Sequence, residues 1–183
     1  DDIYLPAGPV TIEIQYYENE GGAVAKLSWT PDGGQQPPPP PPSGTVIVDN
    51  TDAGFVQGGA APGWRTVSEG YEGSMVWTYN NNTAQYNYNW ARWYPDLQPG
   101  WYKVYVYIPY WYTTTGQARY WVRHTNGYTL LIVNQSLYNN EWVYLGNYHF
   151  SGTDEDYVSL ADATYEPYRS RLIGFDAVKW ESN

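Results

Sequence analysis

Pro99-Gly100-Trp101-Tyr102-Lys103-Val104-Tyr105-Val106-Tyr107-Ile108-Pro109 decides the fold class. From Tyr102 onward the side chains alternate with period two, the signature of a strand. Val104, Val106 and Ile108 fall on one side, Tyr105 and Tyr107 on the other. Both sides are bulky, so the strand is expected to be central and covered on both faces. Pro99-Gly100 supplies the turn before it, and Pro109 ends it because proline has no N–H to give to a ladder. Outward from this strand, short apolar runs recur between turn signals: Thr45–Val48, Met75–Thr78, Ala91–Tyr94, Ala118–His124, Thr129–Asn134, Trp142–Phe150, Tyr157–Leu160 and Gly174–Trp180. With no amphipathic helix among them, about nine strands spaced this way predict an all-β, jelly-roll-like β-sandwich over residues 45–183.

Composition narrows the class further. Of 183 residues, 19% are aromatic, from 21 Tyr, 10 Trp and 3 Phe, and only 15% are charged. So many rings exclude an intrinsically disordered chain. No run approaches the ~18 apolar residues of a membrane span, so membrane insertion is not expected. The chain opens on Asp1-Asp2 with no signal-peptide pattern, as a processed polypeptide would. Nine basic residues against 19 acidic give a net charge of −10, so nucleic acid is not an expected partner, because phosphate binding needs clustered Lys and Arg. With no Cys there is no disulfide frame and no thiolate chemistry. Low Lys with abundant Tyr, Trp, Asn, Gly and Thr favours an extracellular or cell-surface location.

Six consecutive prolines, Pro37–Pro42, flanked by Asp32-Gly33-Gly34-Gln35-Gln36 and Ser43-Gly44, divide the chain. Such a run adopts polyproline II and spans about 19 Å at ~3.1 Å per residue, a semi-rigid linker over residues 32–44. Before it, Val10–Tyr16 and Ala23–Trp29 alternate with period two around Glu18-Asn19-Glu20-Gly21-Gly22, which predicts a β-hairpin arm over residues 1–31. Val10, Ile12, Ile14 and Tyr16 share one face. Val24 and Leu27 differ in parity, which points to a bulge near Ala25, and Trp29 closes the arm. A lone hairpin is marginal in water, so its apolar face needs a sheet to lie on.

Two resemblances add to this reading. Leu5-Pro6-Ala7-Gly8, Ile12–Glu18 and Lys26-Leu27-Ser28-Trp29 resemble the last hairpin of the protective-antigen-type β-sandwich domain, without that family's acidic binding loops. The large domain resembles the golvesin C-terminal-like domain, also described as the carbohydrate-binding-like domain of xanthan lyases. The resemblance rests on Val48-Asp49-Asn50-Thr51-Asp52-Ala53-Gly54-Phe55, Pro99–Val106, Ala118-Arg119-Tyr120, His124, Val133-Asn134-Gln135-Ser136, Trp142–Phe150 and Phe175-Asp176-Ala177-Val178. It implies a jelly-roll β-sandwich appended to secreted bacterial proteins.

Catalytic candidates are sparse. Ser136, His124 and an Asp could be assembled into a triad, but no G-x-S-x-G elbow exists. Asp154-Glu155-Asp156 reads as one solvated hairpin tip rather than a pair of acids flanking a cleft. No enzyme activity is expected. A structural calcium ion is a candidate at Asp49, Asp52 and Asp176, which meet if the first and last strands pair. Calcium takes six to eight oxygens, whereas an Asx-rich turn would use the same carboxylates on local amides. Trp90, Trp93, Tyr110, Trp111 and Tyr112 are the candidate contacts to a glycan or a protein partner. Asn81-Asn82-Thr83 and Asn134-Gln135-Ser136 match the N-glycosylation pattern, and Asn134-Gln135 is expected to serve the fold.

For function, the orphan hairpin leads to a non-enzymatic extracellular structural subunit. It would assemble head to tail, as a homo-oligomer, fibre, filament or surface matrix, by donating the hairpin to a neighbour. The alternative is a carbohydrate-binding accessory module of a secreted bacterial polysaccharide-active protein, with extracellular polysaccharide as partner.

Overall fold

The computed structural model describes residues 44–59, 63–84 and 88–183. The assembly hairpin (Val10, Ile12, Ile14, Tyr16, Val24, Leu27 and Trp29) and the proline run lie outside the described residues. Twelve strands follow in chain order: β1 Thr45–Val48, β2 Phe55–Gly58, β3 Arg65–Val67, β4 Met75–Tyr79, β5 Trp90–Trp93, β6 Gly100–Ile108, β7 Ala118–His124, β8 Gly127–Val133, β9 Glu141–Phe150, β10 Tyr157–Ala161, β11 Leu172–Phe175 and β12 Val178–Ser182. They form a four-stranded sheet ordered β1-β12-β6-β9, a five-stranded sheet ordered β2-β5-β10-β7-β8 and a three-stranded sheet ordered β11-β4-β3. Every ladder is antiparallel. This is the all-β sandwich that the sequence implies.

One core joins the sheets. Val104, Val106, Ile108, Val178 and Trp180 of the four-stranded sheet share it with Ala91, Trp93, Tyr120, Val122, Val158 and Leu160 of the five-stranded sheet, and with Ile173 and Phe175 of the three-stranded one. Each aliphatic side chain buried this way contributes roughly 1.5–3 kcal/mol gross. β6 is central, between β12 and β9, but it is not covered on both faces as expected. Its inner side chains are buried, whereas Trp101 on the outer side stays 51% exposed. Rings cover rings there instead of a further layer: Tyr105 packs on Tyr144, and Tyr107 on Trp142, with centroids 5.3 and 5.2 Å apart.

Two further departures have local causes. Gly174–Trp180 is not one strand but two. The chain leaves the three-stranded sheet after Phe175 and joins the four-stranded one at Val178. The step at Asp176-Ala177 is held from three sides: Trp93 Nε1 donates to the Asp176 carbonyl at 2.6 Å, the Tyr71 amide to Asp176 Oδ2 at 2.9 Å, and the Tyr107 amide to the Ala177 carbonyl at 2.9 Å. In β9, Val104 faces Gly146 while Tyr105 faces Tyr144, so Leu145 is an extra residue in a bulge. The bulge reverses the side-chain parity: Trp142 and Tyr144 point outward before it, Asn147 and His149 after it. Strands β2 and β3, absent from the sequence reading, are short and mostly exposed, so no apolar run marks them.

Gly146 carries the bulge at φ 141°, a region that side chains rarely enter. A Cβ there would lie 2.5 Å from Tyr148 Oη, whose hydroxyl donates to the Leu145 carbonyl. Gly146→Ala is therefore expected to cost about 1–3 kcal/mol of stability. Denaturant melts would show this as a lower midpoint at unchanged slope; an unchanged midpoint would mean the bulge tolerates a side chain.

Candidate functional site

The acidic turn resolves into local bonds plus one buried pair. Asp52 Oδ2 accepts from the Asp49 amide at 2.8 Å. Asp49 Oδ2 accepts from the Thr51 amide and hydroxyl at 3.2 and 2.7 Å. This is the Asx-turn chemistry that competed with calcium in the sequence. β1 pairs with β12, which makes Asp49 a neighbour of Asp176, both almost wholly buried; Asp176 Oδ1 has no hydrogen-bond partner among the described residues. Asp52 does not join them. Among the described residues no three acidic, His or Cys side chains converge as a metal site would need. Burial, set against the Tyr71 amide bond and reinforced by the neighbouring Asp49, pushes the Asp176 carboxyl up to about 8.

The aromatic candidates separate. Trp93 is buried at 1% exposure and belongs to the core, so it is withdrawn as a surface contact. Trp90, three residues earlier on β5, lies on the opposite face, as strand parity requires. Tyr110 and Trp111 pack edge to face at 4.6 Å and are each 53% exposed. Tyr112, at φ 60°, turns inward and stacks on Trp77 at 4.6 Å. Of the three aromatic candidates in this loop, Tyr110 and Trp111 are therefore the exposed ones.

The sequence reading missed the sheet faces themselves. On the outer side of the five-stranded sheet, Ser159 of the central strand β10 lies between Arg92 and Trp121, and Ala161 between Trp90 and Arg119. Small residues on the middle strand, with Trp and Arg on both neighbours, make a trough along β10. Its walls are tied by cation–π contacts: Arg92 lies 5.1 Å from the Trp90 ring and 4.8 Å from Tyr157, and Arg119 lies 5.0 Å from Tyr165. Period-two spacing in 90–92, 119–123 and 157–161 was the available signal.

Beyond the ends of β5 and β10 lies a polar cleft lined by Arg65, Thr78, Tyr79, Asn89, Asp162 and Arg169 among others. Asn89 Nδ2 donates to Asp162 Oδ2 at 2.9 Å. Burial pushes Asp162 up to about 6, against the hydrogen bonds from Asn89.

The two histidines do not build a triad. His124 stacks on Tyr148 at 4.9 Å and its Nε2 lies 2.9 Å from Thr129 Oγ1. Ser136 instead donates to Asn134 Oδ1 at 2.6 Å. Asn134 caps the short turn Gln135–Leu137, and buried Gln135 bonds Tyr120 Oη and both backbone groups of Gly174. Asn134-Gln135 thus serves the fold, as the sequence suggested.

Comparison with known proteins agrees with this architecture. Residues 46–182 match the family described as "Golvesin C-terminal domain". The structure is similar to that of a Paenibacillus xanthan lyase, with a TM-score of 0.63 and 25% identity over 76% of this chain. The match spans 13% of the lyase. No curated protein matches the chain.

The buried carboxyl pair predicts a pH dependence. With its carboxyl near 8 in the fold and 3.8 in the free chain, Asp176 holds a proton that unfolding releases, so its contribution falls as pH rises from about 4 through about 8. Asp176→Asn keeps an oxygen for the Tyr71 amide and removes the titration. The melting temperature of the wild type is expected to fall relative to the variant across that window, with or without a chelator. Parallel curves would show that another group carries the dependence, and a chelator-sensitive gap would mean that a cation offsets the pair.

Proposed function

Since this chain belongs to the Golvesin C-terminal domain family, we propose that residues 45–183 act as a non-enzymatic carbohydrate-binding accessory module of an extracellular, bacterial-type polysaccharide-active protein. The trough on the five-stranded sheet carries this reading. Its small middle strand, with Ser159 and Ala161, lets an extended polymer approach the backbone, and Trp90 and Trp121 offer ring faces to the C–H faces of sugar rings. Arg92 and Arg119 donate to hydroxyl and ring oxygens, held in place by the rings beside them. Ladder-fixed side chains on rigid strands lose little freedom when a ligand binds, so affinity is not spent on ordering them. Tyr110 and Trp111 form a second exposed pair at the end of β6. The likeness to a xanthan lyase supports polysaccharide as the ligand class.

In this reading the proline run serves as a spacer between the sandwich and what precedes it. Head-to-tail assembly by hairpin donation finds no support in the family or in the structural likeness, and its residues lie outside the described ones.

Xanthan is the first probe. In affinity electrophoresis the full chain is expected to be retarded by xanthan in the gel. Trp121→Ala, at a position 41% exposed, should weaken retardation about tenfold, the effect of losing one ring contact of roughly 1.4 kcal/mol. The melting temperature should not change. A wild type that no panel of acidic and neutral polysaccharides retards would defeat the reading.

A further inference from the structure

Among the described residues the three sheets leave six edges, the outer strands β1, β9, β2, β8, β11 and β3. Natural sheets blunt such edges by shortness, charge, proline or a bulge. β1, β2, β3 and β11 are only three or four residues long. β9 has ten residues, but it starts on Glu141 and is broken by the Leu145-Gly146 bulge, which twists the edge away from a partner. β8 has none of these devices. It runs seven residues, Gly127-Tyr128-Thr129-Leu130-Leu131-Ile132-Val133, without a charge or a proline. It pairs with β7 in unbroken register from His124 opposite Gly127 to Ala118 opposite Val133, and among the described residues no strand lies on its other side. A long, regular, apolar edge of this kind is a template for a further strand.

The ladder fixes what this edge presents. The two-residue turn Thr125-Asn126 makes His124 and Gly127 the closing pair, and antiparallel bonding alternates from there. Gly127, Thr129, Leu131 and Val133 thus bond to β7, while the N–H and C=O groups of Tyr128, Leu130 and Ile132 point away from it. No other backbone group among the described residues bonds them. The same three side chains form a row on the outer side of the sheet, with Tyr128 57% and Ile132 51% exposed and Trp121 beside Leu130 on β7. Free backbone groups and apolar side chains therefore lie on one line. The line is symmetric about Leu130, with a large apolar residue two places away on either side. In a chain of net charge −10 that symmetry decides the partner. A two-fold contact sets each patch against its own copy, so it tolerates no like charges, and this uncharged strand meets the condition.

We propose that β8 pairs antiparallel with β8 of a second copy of this chain, about a two-fold axis at Leu130. Leu130 then faces its own copy, and Tyr128 of each chain faces Ile132 of the partner subunit. Each opposed pair exchanges N–H and C=O bonds, and an aromatic opposite a β-branched residue is a favourable cross-strand pair. The two five-stranded sheets become one continuous sheet. Its outer face carries both β10 troughs, running in opposite directions and five strand spacings apart, about 24 Å at ~4.8 Å each. A single strand pair is narrower than the ~1,200 Å² of stable interfaces, so the dimer is expected to be weak and concentration-dependent. One consequence rests on the polysaccharide-binding reading: the dimer would hold two polymer runs side by side, with a gain in avidity.

The test is sedimentation equilibrium of the full chain from about 10 μM to about 1 mM, with amide hydrogen exchange read at both ends of that range. A dimer is expected to grow with concentration, and exchange at Tyr128, Leu130 and Ile132 to slow about fivefold from the lower end to the upper. Leu130→Lys sets two like charges on the axis and should keep the chain monomeric. Ile132→Lys, at a half-exposed position, should do the same with an unchanged melting temperature. Ile12→Asp, in the N-terminal arm, should leave the dimer intact. A chain that stays monomeric at the highest concentration would overturn the proposal. So would a dimer that survives both lysine variants, or one lost with Ile12→Asp, which would assign the joint to the arm. Equal slowing of the three amides by an unrelated extended peptide would mean an edge open to any strand, and the two-fold would fall. If the chain dimerises and no polysaccharide retards it, the accessory-module reading falls alone. If xanthan retards a chain that never dimerises, the β8 pairing falls alone.

Discussion

The step at Asp176-Ala177 is the constraint on which the sandwich depends. Here the chain passes from the three-stranded to the four-stranded sheet, and a donor from each neighbouring element fixes it. Trp93 of the five-stranded sheet holds the Asp176 carbonyl, Tyr107 of β6 holds the Ala177 carbonyl, and Tyr71 holds the Asp176 carboxyl. A buried backbone break would otherwise leave its polar groups unmatched. With these bonds made, Phe175 and Val178, which immediately flank the step, both enter the same core. The buried carboxyl is the cost of the arrangement, reduced by the bond that Asp176 Oδ2 accepts from the Tyr71 amide.

How much could be read in advance follows from how local each signal was. β6 was legible because Pro99-Gly100 and Pro109 bracket an alternating run, and β1 and β7 were bounded as well. The division of Gly174–Trp180 was not, because Gly-Phe-Asp-Ala-Val contains no turn dipeptide and the break depends on Trp93, more than eighty residues away in the chain. The bulge at Leu145-Gly146 was hidden by aromatics on both faces of β9, which blur the period. Trp93 should have been separated from Trp90 by counting alone, since residues three apart on a strand face opposite ways. The Arg65–Arg169 cleft had no signature in any window, being assembled from positions near 65, 79, 89, 162 and 169.

The surface explains how so aromatic a chain can leave its rings exposed. Several rings sit under a cation: Lys179 lies 4.3 Å from Tyr105, Arg123 5.0 Å from Tyr128, and Arg65 and Arg169 share Tyr79. Guanidinium stems cover apolar faces while the charged heads stay hydrated. Few cations are thus spread over both outer faces as partners of rings; Arg123 and Lys179 also reach Glu155 and Glu181, and with nine basic residues against 19 acidic the protein stays strongly anionic.

The pairing of β1 with β12 also sets how the domain meets tension. Thr45 faces Glu181, and Gly44 exchanges hydrogen bonds with Ser182 through both backbone and side chain. The chain therefore enters and leaves the sandwich at one point. Force drawn between residue 44 and residue 183 acts across this ladder, not along it, and opens its bonds one at a time from the Gly44 end. A β-sandwich loaded in shear would have to break them together. This domain instead behaves as a zipper: it yields at low force and peels β1 away first, while β6 and the sheet facing it stay assembled.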